Sequence, residues 1–405
     1  MPATANYQAG IEANQTRISY ANELTWGIAP AVAFKAIRYM SDTLAETKTR
    51  QRPSEINITR EASQSVTTQQ TAGGTINYAL AYGVYDDFFS VVLQKDWQAF
   101  QVINGIAADI ILTSTGVSPN NTVVLSSTLG TKFATLGVNS WIKLYGFTNA
   151  ANNGFWYVKA HTDDSHLTLD GPQRTLAVTE TPAATAAHVR GSTIANGVTF
   201  KSLFMQQSLS PTMYLVYPGT YVSRLTVSGS VGNFFTGAID VIAKDEDNLV
   251  ADSSTGAVIA APTTPVMDPV SGFVGCYWNG QPMVGTLDQM AITLENTGAA
   301  PEYGLGGQIA VGMLSGTFTA SGSFRMYFND FINYNFFTGE TLGSLSFIVQ
   351  SNIGNAYAFT FPNTFMMVKL NAGGPGQPVY AEITFEANPA PVTGGTVIID
   401  RLANS

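Results

Sequence analysis

The stretch YLVYPGTYVSRLTVSGSVGNFFTGAIDVIA, Tyr214–Ala243, decides the fold, because the chain states it twice. The second statement is AFTFPNTFMMVKLNAGGPGQPVYAEITFEA, Ala358–Ala387. Pro218 falls on Pro362, Thr220 on Thr364, Gly229 on Gly373, Gly232 on Gly376, Ile239 on Ile383 and Ala243 on Ala387, all at 362 − 218 = 144. Tyr217 and Tyr221 fall on Phe361 and Phe365, so aromatic character repeats as well. Self-similarity at a fixed offset marks a repeated structural unit, here a tandem pair.

Upstream the duplication continues at another offset. Leu80, Tyr82, Val84 and Asp86 match Phe324, Met326, Phe328 and Asp330, at 330 − 86 = 244. In each copy an alternating apolar strand runs into an acidic, aromatic-rich helical turn, YDDFFSVVL or NDFINYNFF. The offsets differ by 244 − 144 = 100, so the first copy holds a guest of about that length. The expected division is lobe one over 1–95 and 199–250, an inserted β-domain over 96–198, a linker over 251–269, and lobe two over 270–405.

Working outward, the 405 residues have room for more than one core, and only 12% are charged, about half the usual share. With 38 Gly and many Thr, Ser and aromatic residues, this suits an all-β chain with short helices. It suits equally a β-rich monomer with an uncharged polar surface, or a surface buried by copies of itself, since interface cores are depleted in charge. The net charge of −9 gives no general attraction for phosphate. The lone Cys276, in GFVGCYW, excludes an intrachain disulfide and reads as a small buried hydrophobe. MPATANYQAG lacks the pattern of a secretory signal and no run approaches a membrane span, so a product made and left in a cytosol, without membrane insertion, is expected.

Along the chain, Ile18, Tyr20, Leu24 and Trp26 suggest a short strand and turn. Ser41–Thr71 is poor in apolar residues and mixes charge signs, with Glu46, Lys48, Arg50, Arg52, Glu55, Arg60 and Glu61. A structureless loop of that length is commonly functional or disordered, and it reads either as a solvated loop or as an arm reaching a neighbouring subunit. Asp86 and Asp87 read as helix N-terminal residues facing unpaired N–H groups. The guest, with IILTS, TVVLSS, WIKLYGF, GFWYVKAHT and HLTLDG, reads as a small β-barrel or sandwich with a hairpin turn at Asn152-Asn153-Gly154. It holds His161, His166 and His188, whose spacing matches no metal motif, and Trp141, Trp156 and Tyr157, which serve a core or a glycan platform. No nucleophile elbow, phosphate loop or zinc motif occurs, and both lobes lack histidine, so neither catalysis nor a cofactor is expected.

SYANELTWGIAP, GTINYALAYGVYDDFFSVVL, SGSFRMYFNDFINYNFF and GNAYAFTFPNTFMMVKLNAGG resemble the tail tube proteins of long-tailed bacteriophages, particularly the flexible, non-contractile kind. The resemblance covers both lobes and leaves out the guest. It implies two tandem β-sandwich lobes that form part of a ring barrel, with an inserted Ig-like domain projecting outward. It further implies a structural virion protein, a homotrimer making a pseudo-six-fold ring, stacked head-to-tail into a conduit for double-stranded DNA at ejection. The tape measure and other tail proteins are the implied partners. On this reading the Ser41–Thr71 arm is the candidate ring-stacking contact, and Asp240 and Glu382 are the candidate lumen-facing residues. A tail terminator, a capsid decoration protein and a cell-surface glycan binder are the alternatives.

Overall fold

The computed structural model describes residues 10–56, 58–99, 107–182, 191–391 and 395–404. In chain order, lobe one contributes β1 (Arg17–Asn22), β2 (Ala45–Gln51), β3 (Val66–Ala79) and α1 (Asp86–Val92). The insert follows with β4 (Ile110–Thr115), β5 (Thr122–Ser127), β6 (Trp141–Leu144), β7 (Gly154–Asp163) and β8 (His166–Asp170). Then come β9 (Gly191–Ala195), β10 (Leu203–Ser210), β11 (Met213–Ser230) and β12 (Thr236–Ala243). Lobe two holds β13 (Phe273–Trp278), β14 (Leu287–Thr297), β15 (Thr317–Tyr327) and α2 (Ile332–Thr338). It ends with β16 (Gly343–Gln350), β17 (Ala356–Ala372), β18 (Val379–Asn388) and β19 (Ile398–Leu402).

The duplicated stretch shows why the repeat matters. β11 begins in an outer sheet, pairing β10 as far as Thr220, and continues in a second sheet, pairing β12 from Tyr221 onward. β17 does the same, pairing β16 as far as Thr364 and β18 from Asn363 onward. Both strands change layers at the proline, a residue with no N–H to give a ladder. Beside it the Thr220 hydroxyl donates to the Tyr217 carbonyl at 2.7 Å, and Thr364 donates to Phe361 at 2.9 Å. The same four-residue device turns both strands. Both threonines are fully buried, where an unpaired hydroxyl would be costly.

The layer beyond the prolines is one antiparallel wall running through both lobes in the order β2–β3–β12–β11–β14–β15–β18–β17. Alternation splits each strand between two faces. One face buries Ile76, Tyr78, Leu225, Val227, Ile239, Ile292, Leu294, Phe324, Ile383 and Phe385 in a core shared by both lobes. The ladders pair Ile239 with Ile76 and Ile383 with Phe324, so Ile76 is the structural counterpart of Phe324, at 324 − 76 = 248. The upstream match at 244 is therefore corrected by four residues. The shift is even, so it kept the right face while missing the register.

The outer layer of lobe one is β1, β10 and the first part of β11. That of lobe two is β13, β16, β17 and β19, to which β9 adds a further strand. The 251–269 segment is bound to lobe one by backbone bonds, among them Ile259 to Phe34 and Met267 to Leu80.

The insert forms one five-stranded sheet, β4–β5–β8–β7–β6, in place of the barrel or two-layered domain expected. Asn152-Asn153-Gly154 is not a tight hairpin turn. The chain from β6 to β7 passes through a short 3₁₀ turn, Ala150–Asn152, where buried Asn152 bonds Glu180 and Val178. Hung from lobe one, the insert rests on the outer sheet of lobe two, on the side away from the wall. The Trp141 and Tyr277 rings lie 4.7 Å apart, and Tyr277, Ile348, Ala356, Ala358 and Leu402 complete its core.

Candidate functional site

The wall's second face carries no core. Across β3, β12, β11, β14 and β15 one row reads Thr75, Asp240, Arg224, Glu295 and Thr319, each opposite the next. Another reads Gln289, Arg325, Glu382 and Lys369 across β14, β15, β18 and β17. Hydroxyl and amide side chains fill most of the remainder, including Asn77, Thr226, Ser228, Ser230, Thr293, Ser321, Ser323 and Thr384. These are half-buried or exposed, small and uncharged, and they make the face smooth and wettable.

Its two arginines are engaged within the sheet. Arg224 Nε donates to Asp240 Oδ2 at 2.6 Å, and the other oxygen of Asp240 accepts from the Thr75 hydroxyl at 2.6 Å. A bulge before Gln289 turns Asp288 toward Arg325, whose Nε and Nη2 bind it at 3.0 and 2.6 Å. Hydrogen bonding to Asp288 raises the Arg325 guanidinium above its ordinary pKa. Lys369 lies directly opposite Glu382.

Asp240 and Glu382, chosen from sequence, therefore lie on one face, the face opposite the core, and the Asn371 amide donates to Glu382 at 3.2 Å. Sequence reasoning missed Arg224, Asp288, Glu295, Arg325 and Lys369. The signal was present in SRLTVSGS, where Arg224, Thr226, Ser228 and Ser230 alternate with the apolar positions.

The wall ends in two open edges. Among the described residues β2 pairs only with β3, and β17 beyond Thr364 pairs only with β18. Between them the lobes join by a ladder from Arg224–Glu295 to Ser230–Gln289. β2 holds in lobe one the position of β14 in lobe two, and β17 repeats β11. The two open strands are thus copies of the two strands that meet at the lobe junction.

The two ends of the Ser41–Thr71 tract pair as a hairpin, so the tract is not a loop throughout. Ala45 pairs with Gly73 and Gln51 with Val66, leaving 52–65 as the connection. Polar side chains on both faces concealed the alternation, while Thr47, Thr49, Thr67 and Thr71 supplied the β-branched residues. Glu46 binds Gln70 at 2.7 Å and Lys48 at 3.2 Å, and Arg50 donates to the Ser65 carbonyl. In the connection Arg52, Glu55, Arg60 and Glu61 are exposed, Ser63 donates to Glu55, and Ile56 and Ile58 are fully exposed.

Asp86 and Asp87 open α1 but cap nothing, since neither accepts a helix N–H. Asp86 accepts from Tyr357 Oη at 2.5 Å and pairs with Arg401, so it binds lobe one to lobe two. Asp87 pairs with Lys35 at 2.7 Å and accepts from Tyr20, whose phenol is pushed up by burial and then by that carboxylate. In lobe two the capping reading holds, for Asp330 accepts the Ile332 N–H at 2.9 Å.

In the insert His161 and His166 pair with Asp164 and Asp163 around a turn, and His188 lies outside the described residues. No group of three metal-type side chains converges among the described residues. Trp141, Trp156 and Tyr157 are buried and present no ring to a sugar. No helix among the described residues is long and apolar enough to cross a membrane.

Compared with known proteins, the chain matches a family described as "Phage tail tube protein" over residues 13–388. No curated protein matches it. A match of that extent spans both lobes and the wall that unites them, and the chain belongs to the phage tail tube protein family.

Proposed function

We propose that three copies of this chain close into a ring of six lobes, and that the rings stack head-to-tail into the tail tube of a non-contractile phage. The observation that carries the ring is the pair of open edges. When β17 of one copy meets β2 of the next, it repeats the β11–β14 junction already present within the chain. Ring closure leaves no exposed strand edge to pair at random. The polar wall face then lines a bore for double-stranded DNA at ejection, with Asp240 and Glu382 on its surface. The insert, on the far side of the sandwich, faces the outside. The 52–65 connection, with its charges and exposed Ile56 and Ile58, is the ring-to-ring contact. A filament grows because such a contact is heterologous and does not close. Tape measure and other tail proteins meet this tube in the virion, and its work is mechanical rather than catalytic.

Electron microscopy of the purified chain tests this. Hollow tubes built from rings with three-fold symmetry are expected. Isolated rings would instead indicate a terminator, and uniformly monomeric protein at high concentration would refute the assembly.

A further inference from the structure

We infer that Asp240, Glu295, Asp288 and Glu382 act as masks, keeping Arg224 and Arg325 unavailable to phosphate so that the polar wall face does not hold duplex DNA. The inference rests on the reading of this face as the bore. A guanidinium presents the same fork to a carboxylate as to a phosphate, so an arginine engaged with one is withheld from the other. Arg224 sits between Asp240 and Glu295 in register, and Thr75 pins Asp240 in place. Arg325 is held by two of its nitrogens on Asp288, has Glu382 opposite, and lies over the Tyr380 ring at 4.4 Å. Both cations are thus fixed along the sheet by partners on adjacent strands. Unmasked, each would gain a phosphate contact and the counterion release that goes with it. Cross-strand ion pairs also help hold a sheet, so DNA binding, and not stability, is the property that separates masking from simple bracing.

The test uses the unassembled chain, a short fluorescent duplex and anisotropy at low salt. The wild type is expected to leave the duplex free. Asp240→Asn/Glu295→Gln/Asp288→Asn/Glu382→Gln, with native circular dichroism, is expected to bind at least about tenfold more tightly, with a log K against log salt slope of about −2 for the two arginines. Adding Arg224→Gln and Arg325→Gln should abolish most of that gain. Binding by the wild type, no binding by the folded variant, or binding that survives loss of both arginines would overturn the inference. Should the fourfold variant misfold, Asp288→Asn alone, with a slope of about −0.9, carries the same test. Assembled variant tubes then separate masking from the bore. Retention of linear duplex with exclusion of closed circular DNA supports both. Equal retention of the two forms places this face outside the tube, refuting the bore while masking stands.

Discussion

Asp400 sits in surroundings that a carboxylate disfavours. It is wholly buried where β19 meets the insert, and it accepts the Trp141 N–H at 2.7 Å. Burial pushes its carboxyl up from 3.8 to about 7, against the opposing effect of that bond. The folded chain therefore binds a proton here that the unfolded chain releases. The resulting stability is fully present below pH 4 and is lost as pH rises through about 7. Asp400→Asn should remove this dependence and raise both the stability at pH 8, by up to about 4 kcal/mol, and the thermal midpoint there. Paired melting curves at pH 5 and pH 8 check it, and a wild-type advantage at pH 8 would contradict it. Nothing in TVIIDRL announces such a site, because the neighbour that buries Asp400 comes from the insert. The paired Pro and Thr positions were legible, since their device is local and repeated.

At the scale of elements, the sequence showed strands wherever one face was apolar and failed where neither was. β11 and β17 declared themselves through alternation and aromatic content, whereas β2 did not, having charged or hydroxyl residues on both faces. A strand of that composition at an open edge is soluble before assembly and resists indiscriminate pairing. The hairpin it forms gives a clean test of the stacking role. Replacing 52–65 with Asn-Gly joins Gln51 to Val66 through a two-residue turn suited to their ladder. The expected product is a normally folded chain that makes rings but not tubes, as counted in micrographs. Tubes of ordinary length would remove the arm from the stacking contact. The helices show the reverse lesson. Equal acidic starts in sequence serve different ends, Asp330 capping its helix while Asp86 reaches across to Arg401.

The whole molecule is one rigid third of the proposed ring rather than two beads on a string. A single core runs through both lobes, the wall crosses their junction without a break, and β9 is built into the outer sheet of lobe two. Asp86 is the polar fastener of this arrangement, bonded to Tyr357 and Arg401. Asp86→Asn should lower stability by about 2 kcal/mol, within the range for hydrogen bonds to charged groups, and leave one cooperative transition. Calorimetry showing two separated transitions would mean that the lobes unfold independently. Tandem duplication and an inserted guest were readable because they leave arithmetic in the sequence. The place where the guest rests was not, because Trp141, Tyr277 and Leu402 look like ordinary core residues until the fold brings them together.

The two open edges, β2 and β17, lie far apart in the order in which the chain is made. The β2 margin is made first, and β17, β18 and the β19 strand that completes their layer are made after it. Until β17 is made, a growing chain displays the β2 margin alone. Coupling at both sides, and with it the proposed ring closure, waits on the later of the two edges.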